Sequence, residues 1–81
     1  MDLNELLQRI PEDRFERIAV ETDVDPEDEV TFGWSALVLL KDDDGGTFIG
    51  RYDTTPLKAL EGLIEDLIKQ GYLERLEIYG R

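Results

Sequence analysis

The chain has 81 residues, 20 Asp and Glu against nine Lys and Arg, no Cys and no His, and a formal charge of −11. That length holds a single domain, 1–81, whose core fits roughly two helices on a small sheet with a stability margin of a few kcal/mol. Without Cys there is no disulfide framework or thiolate zinc site, without His and Cys the common nucleophile–base pairs cannot be built, and the acidic balance disfavours direct binding to nucleic acid or anionic membranes.

Residues 2–10 read as a short helix with Leu3, Leu6, Leu7 and Ile10 on one face, Asp2 and Glu5 in the positions of a capping box, and Pro11 as its stop. So short a helix must dock on the sheet to persist. Residues 15–22 read as a strand with Ile18 and Val20 toward the core, although the alternation is imperfect at Phe15 and Ala19. Residues 21–29 (ETDVDPEDE) hold six acids, no base and Pro26, the composition of a solvated loop.

From 30 to 40 the chain alternates again, with Val30, Phe32, Trp34, Ala36, Val38 and Leu40 on one face. Leu37 and Leu39 make the other face apolar near its end, so both sides of that end are expected to be covered. Asp44-Gly45-Gly46 then supplies the tight turn of a β-hairpin, and residues 48–52 pair back with Phe48 and Tyr52 on one face and Ile49 and Arg51 on the other. Thr55 and Pro56 open an amphipathic helix whose stripe is Leu57, Leu60, Leu63, Ile64, Leu67 and Ile68, and Gly71 ends it. Ala59, Gly62 and Asp66 fall on a flank of this helix, where Gly62 is either a tolerated surface glycine or the site of a close approach by another backbone. Residues 73–79 suit a last strand with Leu76 and Ile78 inward, with a short helical turn as the alternative. The predicted order is α-β-β-β-α-β, a two-layer α+β domain with a mainly antiparallel sheet and the helices on one face.

The chemistry of the side chains points to binding more than to reaction. Paired carboxylates for acid catalysis are available among Asp42, Asp43, Asp44, Asp53 and the 21–29 run, but in so acidic a chain such adjacency follows from composition, and a non-enzymatic protein is expected. Asp23, Asp25, Glu27 and Glu29 have the alternate spacing of a calcium loop, yet Asp28 occupies the position that needs Gly and Pro26 interrupts the run, so neither metal nor cofactor is expected. Gly45 and Gly46 lack the following helix and the Lys of a phosphate loop. Trp34, Phe32, Phe48 and Tyr52 could stack bases, but aromatic strand residues in a small domain are expected to be core.

No apolar run reaches the roughly 18 residues that span a bilayer, and the acidic start at Asp2 lacks the pattern of a signal peptide, so a cytoplasmic protein is expected. The excess acid should sit on a folded surface. Glu21, Asp23, Asp25, Glu27, Asp28 and Glu29, together with Asp42, Asp43 and Asp44, form the candidate binding surface for a basic, nucleic-acid-binding protein. With three Lys against six Arg, adaptation to a high-salt cytoplasm is another source of such charge. The chain is expected to be a monomer or a homodimer formed through an open strand edge.

Residues 36–68 (ALVLLKDDDGGTFIGRYDTTPLKALEGLIEDLI) resemble the core of HicB-type antitoxins, in which a strand, an acidic Asp-Gly-Gly turn, a second strand and a Thr-opened helix recur; the Pro and Gly-Cys segment of that family is missing. The likeness implies a partner protein blocked through an apolar or strand-edge contact. In size, acidity and element order the whole chain also resembles small phage-encoded inhibitors, some anti-CRISPR proteins among them, which implies occupation of a nucleic-acid channel in the target.

Overall fold

The computed structural model describes residues 1–41 and 46–80. The N-terminal helix, α1, is Leu3–Arg9; the Asp2 carboxylate accepts the Glu5 N–H at 2.8 Å, and the chain leaves the helix before Pro11, where a 3₁₀ turn, Glu12–Arg14, begins. Strands β1 (Phe15–Val24), β2 (Phe32–Leu40) and β3 (Phe48–Asp53) form an antiparallel sheet in that order.

Cross-strand partners share a face, so the register assigns every side chain. Ile18, Val38 and Ile49 lie on one face, as do Val20, Ala36 and Arg51; Ala19, Leu37 and Gly50 lie on the other. The irregular alternation at Phe15 has a local cause. Phe15 faces Leu40 and Arg17 faces Leu39, so the irregularity between them inserts Glu16 and swings Phe15 into the core at 5% exposure. The β2–β3 hairpin is present, with Leu39 opposite Phe48 and the Leu40 N–H bonded to the Thr47 carbonyl at 2.9 Å. Of its expected turn, Asp44 and Gly45 lie outside the described residues, while Gly46 takes φ 92°, which glycine adopts without strain.

Helix α2 is Pro56–Lys69, opened by Thr55 Oγ1 accepting the Lys58 N–H at 3.2 Å. At its end the Tyr72 N–H reaches the Leu67 carbonyl and the Gly71 N–H the Ile68 carbonyl, with Gly71 at φ 88°, which is a Schellman cap. Its stripe buries Leu60, Leu63, Ile64 and Leu67 completely against Ala36 and Val38 of the sheet and Leu6, Ile10 and Ile78 of the other helices. Each such side chain contributes about 1.5–3 kcal/mol of transfer free energy. Ala59, expected on the flank, is fully buried as well.

The C-terminal segment corrects the expected fourth strand. Residues Arg75–Tyr79 form a short helix, α3, and the sheet has three strands among the described residues. Glu77, three residues after Glu74, accepts the Glu74 N–H at 2.9 Å, and Arg75 makes a bidentate pair with Glu65 at 2.8 Å, so local charges fix a helical turn beside α2. Ile78 and Leu73 are buried, but Leu76, expected inward, is 71% exposed.

Two further expectations on the sheet change. Strand β2 begins at Phe32 rather than at residue 30, so Val30 lies exposed in the loop before it. Phe32 is exposed because α2 crosses the sheet nearer the Ala36–Leu40 end, and both leucines of the second face, Leu37 and Leu39, are only half-buried, since all described helices pack on the opposite face. The four aromatics are likewise divided: Trp34 packs at the core margin, Tyr52 is half-buried on the open face, and Phe32 and Phe48 are 80% and 64% exposed. They form neither a common platform nor a common core.

Leu63→Ala is expected to lower unfolding stability by about 3 kcal/mol, read as a shifted denaturant midpoint at unchanged slope. Gly62 supports a close approach, but of a side chain: a Cβ there would lie 3.0 Å from Cγ and 3.1 Å from Nε of Arg51, whose guanidinium pairs with Asp66 at 3.1 Å. Because that arginine is half-exposed and flexible, Gly62→Ala should gain most of the helix-propensity difference and raise stability by about 0.5 kcal/mol in the same assay.

Candidate interaction surface

The acidic run is more ordered than a solvated loop. Strand β1 continues through Val24, so the loop starts at Asp25 rather than at Glu21. Glu21 and Asp23 project from the open sheet face, opposite Ser35 and Gly33, about 7 Å apart along the strand.

Beyond them the chain turns on its own carboxylates. Asp25 accepts the Glu27 N–H at 2.8 Å, its own N–H donates to the Thr31 carbonyl at 2.7 Å, and its carbonyl receives the Glu29 N–H at 2.7 Å. Asp28 accepts the N–H groups of Val30 and Thr31 at 2.9 and 3.0 Å and the Thr31 hydroxyl at 2.5 Å. Asp23 accepts the Ser35 hydroxyl at 3.0 Å. Glu29 sits at φ 58°, a left-handed conformation this network holds in a residue that rarely adopts it. Asp23, Asp25 and Asp28 thus build the loop, whereas the exposed carboxylates of Glu21, Glu27 and Glu29 accept no hydrogen bond among the described residues. The expected contributions of Asp42, Asp43 and Asp44 lie outside the described residues.

Asp53, at the end of β3 opposite Trp34, joins this end of the molecule. The Tyr52 hydroxyl is enclosed there with no hydrogen-bond partner among the described residues; burial raises its pKa first, and Asp25, Asp28, Asp23 and Asp53 raise it further. A side chain at position 33 would overlap that hydroxyl and come 2.7 Å from the Asp53 carbonyl oxygen, so glycine is required where β2 passes under Tyr52.

The cations lie elsewhere. Arg51 pairs with Asp66, Arg75 with Glu65, and Arg14 with Glu77 at 2.5 Å, joining the helices to one another and to the sheet. Arg9 donates to the Ile78 carbonyl at 3.1 Å. None of these pairs reaches the 21–29 run, so the molecule is electrically polarised. The hydrogen bond and charge of Arg14 hold Glu77 below the usual carboxylate range, as Arg75 does for Glu65. Two surface clefts, one lined by Leu7, Glu12, Phe15 and Arg17 and one by Arg51, Glu65, Asp66 and Lys69, are separate from the acidic end. Among the described residues no three acidic side chains are placed to share a metal ion. No helix among the described residues is long and apolar enough to cross a membrane.

No protein-family model, curated protein or solved structure matches the chain. The acids themselves are legible in the sequence, whereas their turn chemistry is signalled only by Asp25-Pro26 and the three-residue spacing of Asp28 and Thr31.

The Thr31 hydroxyl, followed by the Thr31 and Val30 N–H groups, lowers the Asp28 pKa from 3.8. A depressed folded-state pKa contributes stability that is present above 3.8 and is lost as pH falls through the lower folded value. Asp28→Asn should therefore melt below the wild type at pH 7, and the gap between their melting temperatures should close in acid below the folded-state pKa.

Proposed function

We propose that this protein is a non-enzymatic binding module, an inhibitor that presents its acidic end to a basic, nucleic-acid-binding surface of a partner protein and occupies it as a nucleic-acid mimic. The observation that carries this reading is the polarisation: the arginines that form ion pairs do so in and beside the helical layer, and the end built from Glu21, Asp23, Asp25, Glu27, Asp28, Glu29 and Asp53 keeps its charge uncompensated by them. The loop's internal hydrogen bonds support it, because carboxylates on an ordered frame lose little conformational freedom on binding. Glu21, Glu27 and Glu29 are the contact residues on this reading, and Asp23, Asp25 and Asp28 position them.

A second reading follows from a different observation. Leu37 and Leu39 are half-buried and Phe48 is 64% exposed on the sheet face that no described helix covers, which suits the apolar contact of an antitoxin-like partner.

Capture of partners on the tagged protein followed by a salt gradient separates the two. On the first reading a basic protein is released sharply as salt rises, and replacing Glu21, Glu27 and Glu29 together by Gln weakens its binding by roughly tenfold at low salt while leaving the fold intact. A partner that stays bound through high salt and is lost on Phe48→Ser would overturn it in favour of the apolar face.

A further inference from the structure

Strand β1 is an edge strand: among the described residues it pairs only with β2, and it contains neither proline nor lysine between Phe15 and Val24. Its sequence is complementary to itself in the antiparallel register centred on Ala19. With Ala19 opposite Ala19 of a second copy, Arg17 faces Glu21 on the open sheet face, and Ile18 faces Val20 on the helix face, each pair occurring twice about the two-fold axis. Moving the register by two residues one way opposes Arg17 to Ala19 and loses the charge match; moving it the other way keeps an acid, Asp23, opposite Arg17 but opposes Ile18 to Thr22.

The monomer leaves work for such a neighbour. Helix α2 lies chiefly over β2 and β3, so Ile18 and Val20 remain only partly buried at the margin of the core. A second β1 beside them would cover that flank in both copies. The other edge, β3, is shorter and its arginine is already held by Asp66.

The charge of −11 on each copy does not forbid this arrangement. Six residues separate Ala19 from Asp25, so each acidic loop stands about 20 Å from the axis, on opposite sides of it, several screening lengths from the other at physiological salt.

We propose that the protein forms a symmetric homodimer by antiparallel pairing of its β1 strands, giving a continuous six-stranded sheet with the helices of both copies on one face and the acidic loops on opposite sides of the two-fold axis. The proposal stands on the strand edge and does not rest on the function assigned to the acidic end, with which it shares Glu21.

Sedimentation equilibrium of the full chain over a range of concentrations at physiological salt tests it. A monomer–dimer equilibrium is expected. Arg17→Glu, an exposed substitution, should raise the dimer dissociation constant about tenfold by opposing like charges at two places, and adding Glu21→Arg should restore it to within about threefold of the wild type. Since the chain has no cysteine, Ala19→Cys provides a register test: under mild oxidation it should form a disulfide-linked dimer, while Lys58→Cys on α2 should not. A chain that stays monomeric throughout, or a dimer that the Arg17 charge reversal leaves unchanged, would overturn the proposal and leave the β1 edge to another chain or to solvent.

Discussion

The fold depends on one contact, the apolar stripe of α2 laid across the face of β2 and β3 that carries Ala36, Val38 and Ile49. Ala59, Leu60, Leu63, Ile64 and Leu67 are sealed there, and Leu6, Ile10, Leu73 and Ile78 complete the same cluster from α1, the α2–α3 connection and α3. Neither α1, at seven residues, nor α3, at five, has the length to be stable alone. Both are helical because this cluster gives their apolar side chains a place to pack, with Asp2, Glu74 and Glu77 fixing their ends.

That arrangement also decides where the charge goes. Arg51 lies across Gly62 to reach Asp66, and Arg75 and Arg14 reach Glu65 and Glu77, so three arginines act as ties within and beside the helical layer. Exposed pairs of this kind add little stability individually. Their larger effect is one of distribution, because they leave the opposite end of the sheet to acids. There the chain uses carboxylates as hydrogen-bond acceptors for its own turn, which orders the segment and leaves neighbouring glutamates free to meet something else.

Covering one sheet face with three helices leaves the other face and both outer strands in contact with solvent. Leu37, Leu39 and Phe48 on the open face, and Ile18 and Val20 at the β1 margin, are apolar groups that the single chain does not fully bury. In so small a domain the core has room for one sandwich of layers, and the remaining apolar surface is available for association. Glu21 and Asp23 lie where the acidic end, the open face and the β1 edge meet, so these surfaces adjoin one another.

Much of this was legible in the chain itself. Thr55-Pro56 and Gly71 bounded α2 because cap chemistry is local, the three-and-four spacing of its leucines fixed its inward face, and Asp2 and Pro11 bounded α1 in the same way. The antiparallel hairpin and the α+β class followed from period-two alternation around a turn. The candidate acids were legible as composition, and their order was not, because hydrogen bonds such as Ser35 to Asp23 and Thr31 to Asp28 depend on which strand residues stand opposite and how the loop closes. Tertiary structure alone decided the rest. LERLEIY alternates well enough for a strand, but Glu65 on α2 and Arg14 ahead of β1 offer partners to Arg75 and Glu77 that hold it as a helix. Phe15 is buried only because a bulge shifts the register, and Phe32 and Leu37 are left uncovered because a fourteen-residue helix covers only part of one face of a three-stranded sheet. Periodicity states which side chains share a face; which face meets another layer, and how far along the strand, is set by the length and placement of what packs on it.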